Sequence, residues 1–293
     1  MIPCVLQACL RIFRGVLERE RCRAYNEWER RWHNMNPELQ EILDHTQRMV
    51  FFGGAGVSTA SGIPDFRSPT GLYSQKYAGL TPEMILSRSF FYLHPEIFFE
   101  FYRSTMLFPQ ARPNVVHTKL AALETTDRLR GIVTQNIDGL HREAGNIRVY
   151  EVHGSVHENV CMDCGERFSM QWMAESTGIP RCTACGGVVK PGVVLYGEAP
   201  DRYVMMGASR EISEADTLIV AGTSLSVEPA ASLIRRFRGR NMVVINREPV
   251  PGEENAGLVI HAPVEDVFSD IRIPSALPKR SGEAELRVRR YRP

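Results

Sequence analysis

The sequence predicts an α/β fold: a parallel sheet covered by helices on both faces, carrying a smaller inserted unit. Three observations predict it. Short apolar runs alternate with helical stretches along most of the chain, the pattern of a sheet buried on both sides. The first such run ends in the turn Gly53-Gly54-Ala55-Gly56. Two segments then break the alternation, one crowded with aromatic residues and one holding four paired cysteines.

The composition supports a packed globular chain. Of 293 residues, 43% are hydrophobic and 24% charged, which suffices for a core and excludes wholesale disorder. The 35 basic residues nearly balance the 34 acidic ones, so no specific nucleic-acid partner is expected. An apolar start, Met1 to Leu10, precedes Arg11 and Arg14 instead of following a basic segment, and it is too short to span a bilayer. With seven cysteines, an odd number, the expected setting is a reducing cytoplasm, with no membrane association.

Residues 1–34 differ from the rest. Leu17–His33 is crowded with Arg and Glu, with Trp28 and Trp32 four apart, and reads either as a dispensable extension or as a charged docking helix. The domain is expected over 35–278, opening on a helix started by Pro37-Glu38. Strands are predicted at Met49–Phe52, Gly131–Thr134, Val149–Val152, Thr217–Val220, Met242–Ile245 and Leu258–Ile260. Helices are predicted at Asn114–Glu124 and Pro229–Phe237. The larger part should comprise 35–67, 111–156 and 193–272. The smaller part should come from the insertions 68–110, mostly helical, and 157–192. Residues 279–293 form a basic tail with Arg287, Arg289, Arg290 and Arg292.

The cysteines Cys161, Cys164, Cys182 and Cys185 follow the spacing C-x2-C-x17-C-x2-C. Each pair can bring two thiolates to one metal, and four complete a tetrahedral zinc site; reduced cysteines without a metal are the bland alternative. Gly165 and Gly186-Gly187 follow the pairs, where a knuckle must turn tightly. Four thiolates leave no position for water, so the predicted Zn2+ is a single structural ion. A free-standing ribbon would suggest nucleic-acid binding, but this one lies within an enzyme-like sheet.

Gly54-Ala55-Gly56 after a strand suits the approach of a phosphate to backbone amides. Thr59 stands where a third glycine would complete G-x-G-x-x-G, and alone the motif is equally a ligand-free turn. Gly222-Thr223-Ser224 and Asn246-Arg247-Glu248 end two further strands, where open parallel sheets bind ligands. Gln135-Asn136-Ile137-Asp138 places an amide beside a carboxylate, which suits a carboxamide and a ribose, and an Asx turn explains the same residues. His153 is predicted to end a strand on this rim, as a base or as a packed histidine. His117, His141 and His157 are read as structural.

In order and spacing, the segments Gly54-Ala55-Gly56-Val57-Ser58, Gly62 to Ser68, Thr134 to Asp138, His153-Gly154, the cysteine pairs, Gly222-Thr223-Ser224 and Asn246 closely resemble the sirtuins across about residues 40–270. The resemblance implies a Rossmann-like large part, a small part made of a zinc ribbon and a helical module, and a cleft between them. It implies that NAD is consumed as a co-substrate. Gly54, Ala55, Gly56, Ile63, Asp65, Phe66 and Arg67 would line its pocket, and Asn136, Ile137 and Asp138 would hold the nicotinamide end. Gln135 would reach the neighbouring ribose, and Gly222, Thr223, Ser224, Asn246, Arg247 and Glu248 the phosphates and adenosine. Val193, Val194 and Leu195 would pair with an acetylated protein or peptide.

The implied reaction is lysine deacetylation with His153 as general base, releasing nicotinamide and 2′-O-acetyl-ADP-ribose. Relatives that prefer acidic acyl groups carry Tyr-x-x-Arg. Here Phe101-Tyr102-Arg103-Ser104-Thr105 keeps the tyrosine but has Thr105 in place of the arginine, which favours neutral acyl groups. A hydride-transferring dehydrogenase, an ADP-ribosyltransferase and a zinc module without catalysis are the competing readings. Of these, the dehydrogenase lacks the third glycine and a matching acidic residue.

Overall fold

The computed structural model describes residues 36–66, 71–72, 76–77 and 79–278. Arg67, the N-terminal segment 1–34 and the basic tail 279–293, for which the sequence carried expectations, lie outside the described residues.

The chain opens on helix α1 (Pro37–His45), with Pro at its first turn, Glu38 near the helix N-terminus, and Leu39 and Leu43 buried on one face. Strand β1 (Met49–Gly53) is buried along its whole length. It pairs in parallel with β2 (Leu129–Thr134) on one side and β7 (Thr217–Ala221) on the other. Strands β3 (Val149–Glu151), β8 (Asn241–Ile245) and β9 (Leu258–Ile260) extend the sheet to the order β3-β2-β1-β7-β8-β9, every pairing parallel. The sheet is the predicted Rossmann-like one, and its order reverses beside β1, which opens a crevice at the carboxyl ends.

Side-chain alternation along β1 explains why both faces are covered. Met49 and Phe51 pack with Leu39, Leu43, Leu120, Leu123 and Phe268, from α1, α5 (Val115–Thr125) and α9 (Val264–Asp270). Val50 and Phe52 point the other way, to Ala208 and Ile212 of α8 (Arg202–Glu214) and to Leu233. Leu233 lies in a 3-10 turn, Ala231–Arg236, where the sequence predicted a longer helix. Its bonds run three residues back, as from Leu233 N to Ala230 O, and Phe237 already has extended backbone.

The smaller unit has its own core. Short helices α2 (Pro82–Ile85), α3 (Arg88–Leu93) and α4 (Pro95–Phe101), followed by a π-helical turn at Tyr102–Met106, supply Phe91, Phe98, Phe99, Phe101 and Tyr102. Phe91, Phe98 and Phe99 meet edge to face at centroid distances of 5.0 to 5.7 Å. They pack against Met173 of α7 (Met170–Glu175) and an antiparallel sheet of β4 (Gly154–Cys161), β5 (Arg167–Phe168) and β6 (Val189–Val193). This second sheet was not foreseen from the sequence. It begins at Gly154 and ends at Val193, slightly wider than the expected insertion 157–192.

Candidate active site

The zinc ribbon closes one end of the smaller unit. The Sγ atoms of Cys161, Cys164, Cys182 and Cys185 all lie within 4.8 Å of one another, with Cys161 to Cys185 at 3.5 Å and Cys164 to Cys182 at 3.6 Å. Tetrahedral Zn–S bonds of about 2.3 Å require sulfurs ~3.8 Å apart, so the donor set fits one zinc ion with no open position. Local backbone enforces the geometry. Ala184 N donates to Cys182 Sγ, and a Cβ on Gly187 would stand 2.9 Å from Cys161 Sγ.

At the carboxyl ends of the strands lies a cleft of about 1140 Å³. Pockets for drug-sized ligands span about 300–1,000 Å³, so this one has room for a dinucleotide beside a second substrate. Its walls include Ala55, Gly56, Ile63, Asp65 and Phe66 from the loop after β1, Gln135 to Ile137 after β2, His153, Val193 to Leu195, Gly222 to Ser224 after β7, and Asn246 to Glu248 after β8. Gly54 stands behind this wall, and Asp138 lines a small adjoining recess that shares Asn136, Ile137, Ile63 and Phe66 with the cleft.

The glycines also allow a close contact between two loops. A Cβ on Gly54 would lie 2.7 Å from Thr223 Cβ and 2.8 Å from Gly222 O, and one on Gly56 would lie 2.7 Å from Gly222 Cα. Gly56 N donates to Gly222 O at 2.8 Å. These positions exclude side chains so that the loops after β1 and β7 can touch, which places both loops against the cleft. The loop itself forms two 3-10 turns, Ala55–Val57 and Thr59–Ser61.

Ser58, which sequence reasoning left without a role, joins the two polar groups that it singled out. Its hydroxyl donates to Asp138 Oδ2 at 2.7 Å and accepts from Asn136 Nδ2 at 3.0 Å. Asp138 Oδ1 also accepts from Leu140 N at 2.9 Å, the predicted Asx turn, which leads into helix α6 (Leu140–Glu143). The Asx turn is thus formed, and the Ser58 bonds hold the Asn136 and Asp138 side chains beside it. The only signal for Ser58 was its place among small residues of a glycine-rich loop.

His153 lies in the turn between β3 and β4, two residues past the end of β3, where the sequence placed it at a strand end. Its Nδ1 is 3.0 Å from Gln135 O. A carbonyl can only accept, so Nδ1 carries the hydrogen and Nε2 keeps its lone pair. Burial pushes the imidazole below its usual pKa, against a smaller upward pull from the Gln135 carbonyl, which favours the neutral ring. The Gln135 side chain receives Thr223 Oγ1 at 3.4 Å, while its buried Nε2 has no partner among the described residues. An orphaned amide N–H on a cleft wall fits a ribose or phosphate oxygen as acceptor.

On the apolar side, Leu86, Met106, Val193 and Leu195 face the cleft. Tyr102 does not line it; the ring is buried and stacked on Phe98 at 5.8 Å. Arg103 bonds Ser176 and lies over Phe99. At the far end Asn246 Nδ2 is tied to Glu248 O, and Arg247 pairs with Glu265. Among the described residues, no helix is long and apolar enough to cross a membrane.

A Rossmann-like sheet with a split-loop crevice, joined to a four-thiolate ribbon across a cleft, defines a nucleotide-binding enzyme with a structural zinc module. The chain belongs to the Sir2 family, whose model matches residues 54–229. It is 51% identical over 236 residues to an NAD-dependent protein deacetylase of Clostridium acetobutylicum, covering 80% of this chain and 96% of that one. The corresponding protein of Cutibacterium acnes is 51% identical over 225 residues, covering 76% and 92%. Among solved structures, a Sir2 with a deacetylated p53 peptide and 3′-O-acetyl-ADP-ribose superposes with a TM-score of 0.73 at 34% identity, covering 80% and 96%. A Sir2–p53 peptide–NAD+ complex superposes with a TM-score of 0.70 at 35% identity, covering 80% and 95%.

Proposed function

We propose that this cleft removes acetyl groups from lysines of proteins or peptides, with NAD consumed as co-substrate, and that the residues gathered above divide the work. The chain is an NAD-dependent protein-lysine deacetylase that yields nicotinamide, free lysine and 2′-O-acetyl-ADP-ribose. One observation carries the division of roles: Asn136 and the neutral imidazole of His153 line the same cleft, and Ser58 ties Asn136 to Asp138 in the recess that adjoins it.

Asn136 and Asp138 bind and orient the nicotinamide end, with Ile63 and Ile137 against the ring and Ser58 fixing both polar groups. Gln135 Nε2 reaches the adjoining ribose. Ala55, Gly56, Asp65, Phe66 and Arg67 enclose the dinucleotide, and Gly54 and Gly222 set the loops that do so. Thr223, Ser224, Asn246, Arg247 and Glu248 hold the phosphates and the adenosine. NAD, when bound, supplies the anomeric carbon that takes the acetyl oxygen as nicotinamide leaves. His153 accepts the proton from the ribose at Nε2, and Gln135 O holds the ring in the required tautomer. Leu86, Met106 and Leu195 shield the acyl end from water. No arginine from the Tyr102 segment enters the cleft, so a neutral acyl group suits it and a carboxylate would lack a partner there. Val193 to Leu195 receive the peptide. The zinc ion holds the ribbon and takes no part in the chemistry. A cytoplasmic setting fits the four free thiols that bind it.

The test is an acetylated peptide incubated with and without NAD. Stoichiometric nicotinamide and deacetylated peptide, formed only with NAD, are expected. NADH formation, or transfer of label from NAD to protein, would refute the reading. Faster turnover of a succinylated than of an acetylated peptide would refute the acyl assignment.

A further inference from the structure

Lys190 turns its side chain back along its own strand, β6. Its Nζ donates to Glu198 Oε2 at 3.1 Å, to Val193 O at 3.3 Å and to Pro191 O at 3.3 Å, and it lies 6.0 Å from the centre of the Phe91 ring. Glu198 sits beyond the Gly197 turn and closes it from the other end. The same Oε2 accepts Leu195 N at 3.0 Å, and Glu198 N donates to Leu195 O at 2.9 Å. The two side chains are 21% and 20% exposed, so this ion pair is less screened than a surface one.

Between them lies the segment that the proposed function assigns to the peptide, and its backbone groups are already committed. Val194 N donates to His153 O, Tyr196 N to Leu86 O, and Arg88 N to Tyr196 O. Val193 O and both polar groups of Leu195 belong to Lys190 and Glu198. Among the described residues, the Val194 carbonyl is what this arrangement leaves for another chain. The register offered to a peptide is therefore decided by which groups the ion pair removes. Glu198 also lines the cleft, so without Lys190 an uncompensated carboxylate would face the incoming substrate.

We infer that Lys190 and Glu198 are a positioning pair that fixes the Val193–Tyr196 backbone for the acylated peptide, and so sets peptide affinity without acting on NAD. This rests on the peptide lying along that segment, as the proposed function has it. The pair spans the two parts of the fold, since Lys190 belongs to the ribbon sheet and Glu198 to the approach to α8. Its contacts reach from Val193 O, beside the Val194 N that His153 O anchors, to Leu195.

The experiment is steady-state kinetics of the full chain with Lys190→Met, Glu198→Gln, Lys190→Arg and the Lys190→Met/Glu198→Gln double variant, each checked for zinc content and thermal midpoint. Loss of a charge-assisted bond should raise the peptide KM about tenfold in either single variant. Since the chemistry is untouched, kcat at saturating peptide should stay within about threefold and the NAD KM should not move. Lys190→Arg should restore most of the peptide affinity. The double variant should resemble the worse single one, because both lose the same interaction. If Lys190→Met does not fold, Glu198→Gln alone decides. An unchanged peptide KM in a folded variant would overturn the inference. So would a parallel loss in kcat and NAD affinity, which would mark the pair as merely structural. Failure of the wild-type chain to release nicotinamide with acetyl-peptide would instead overturn the proposed function.

Discussion

Ser58 Oγ lies 2.7 Å from Asp138 Oδ2 and is itself buried, so one hydroxyl proton links the loop after β1 to the loop after β2. Its lone pair takes the Asn136 amide at 3.0 Å, which leaves the Asn136 carbonyl oxygen free to receive a ligand N–H. The sheet brings these loops together because β1 and β2 are direct neighbours, with Gly53 opposite Thr134.

Replacing Ser58 by Ala should therefore harm function through geometry. The truncation leaves the Asn136 amide and one oxygen of Asp138 without a buried partner, at about 1–3 kcal/mol in stability. The expected outcome is a kcat/KM for NAD lowered by about tenfold or more, with the His153 tautomer untouched. Denaturant unfolding and initial-rate nicotinamide release measure the two effects. Reduced stability with normal NAD kinetics would show that Ser58 only packs.

For His153 the sign of the pH effect follows from its environment. As the proposed base, His153 would act as the neutral ring, and burial lowers its pKa below the usual value of about 6.5. Activity should persist as the medium is acidified past that value and fall only as pH drops through the lowered pKa. His153→Ala should leave the thermal midpoint near that of the parent and reduce kcat by about 10²–10⁴-fold or more. A pH–rate profile of kcat/KM at saturating NAD is the measurement, and an acidic limb centred above 6.5 would contradict the assignment.

How much of this was legible in the sequence depends on what each residue faces. Strands such as Met49–Gly53 and Thr217–Ala221 are buried on both sides, so every position must be apolar or small and the run stands out. The cysteine pairs stand out because thiolate geometry dictates their spacing. Ser58 was illegible because its partners, Asn136 and Asp138, are about eighty positions away. The packing role of Gly54 and Gly56 was illegible because the atoms that exclude a side chain there belong to Gly222 and Thr223, after another strand. The ribbon strands escaped notice since β4 alternates only weakly and β5 is two residues long. Tyr102, the kept tyrosine of the Tyr-x-x-Arg comparison, is drawn into the small core by stacking on Phe98.

That reading of the glycines makes a prediction of its own. Gly56→Ala would place a methyl 2.7 Å from Gly222 Cα and 3.0 Å from Gly222 O, both backbone atoms that cannot rotate away. The loops after β1 and β7 would have to part, with a loss of about 1–3 kcal/mol as in overpacked cores. A glycine needed only for phosphate contact would lose NAD affinity and keep full stability, so chemical denaturation beside NAD titration separates the two cases.

Zinc removal should act at a distance. Cys161 and Cys182 are buried in the same core as Phe91, Phe98 and Val189, so emptying the ribbon loosens β4, which follows His153, and β6, which ends in Val193 at the cleft. Chelation or Cys161→Ser should release one zinc ion per chain and abolish activity, while the large sheet stays folded. A metal-sensitive dye, circular dichroism and the peptide assay follow the three in parallel. Full activity in a zinc-free chain would contradict the clamp role.

The buried pair His117 and His141 predicts how the protein responds to acid. Their rings lie 4.7 Å apart, and both nitrogens of His141 and Nε2 of His117 have no partner among the described residues. Burial holds His117 down to about 4, offset in part by Asp138, and pushes His141 well below its usual range, with His117 adding to the effect. The unfolded chain therefore binds protons on these rings below about pH 6.5 while the folded chain refuses them until about pH 4 for His117. Stability is fully present above the unfolded value and is lost as pH falls through this window, by about 3 kcal/mol for His117 at its lower end. Replacing His141 with an apolar residue removes one of these proton acceptors and no hydrogen bond. His141→Leu should thus stay within about 1 kcal/mol of the parent at neutral pH yet unfold at a lower pH, as followed by tryptophan fluorescence during acid titration. An acid midpoint that does not move would mean that neither ring's neutrality limits the fold.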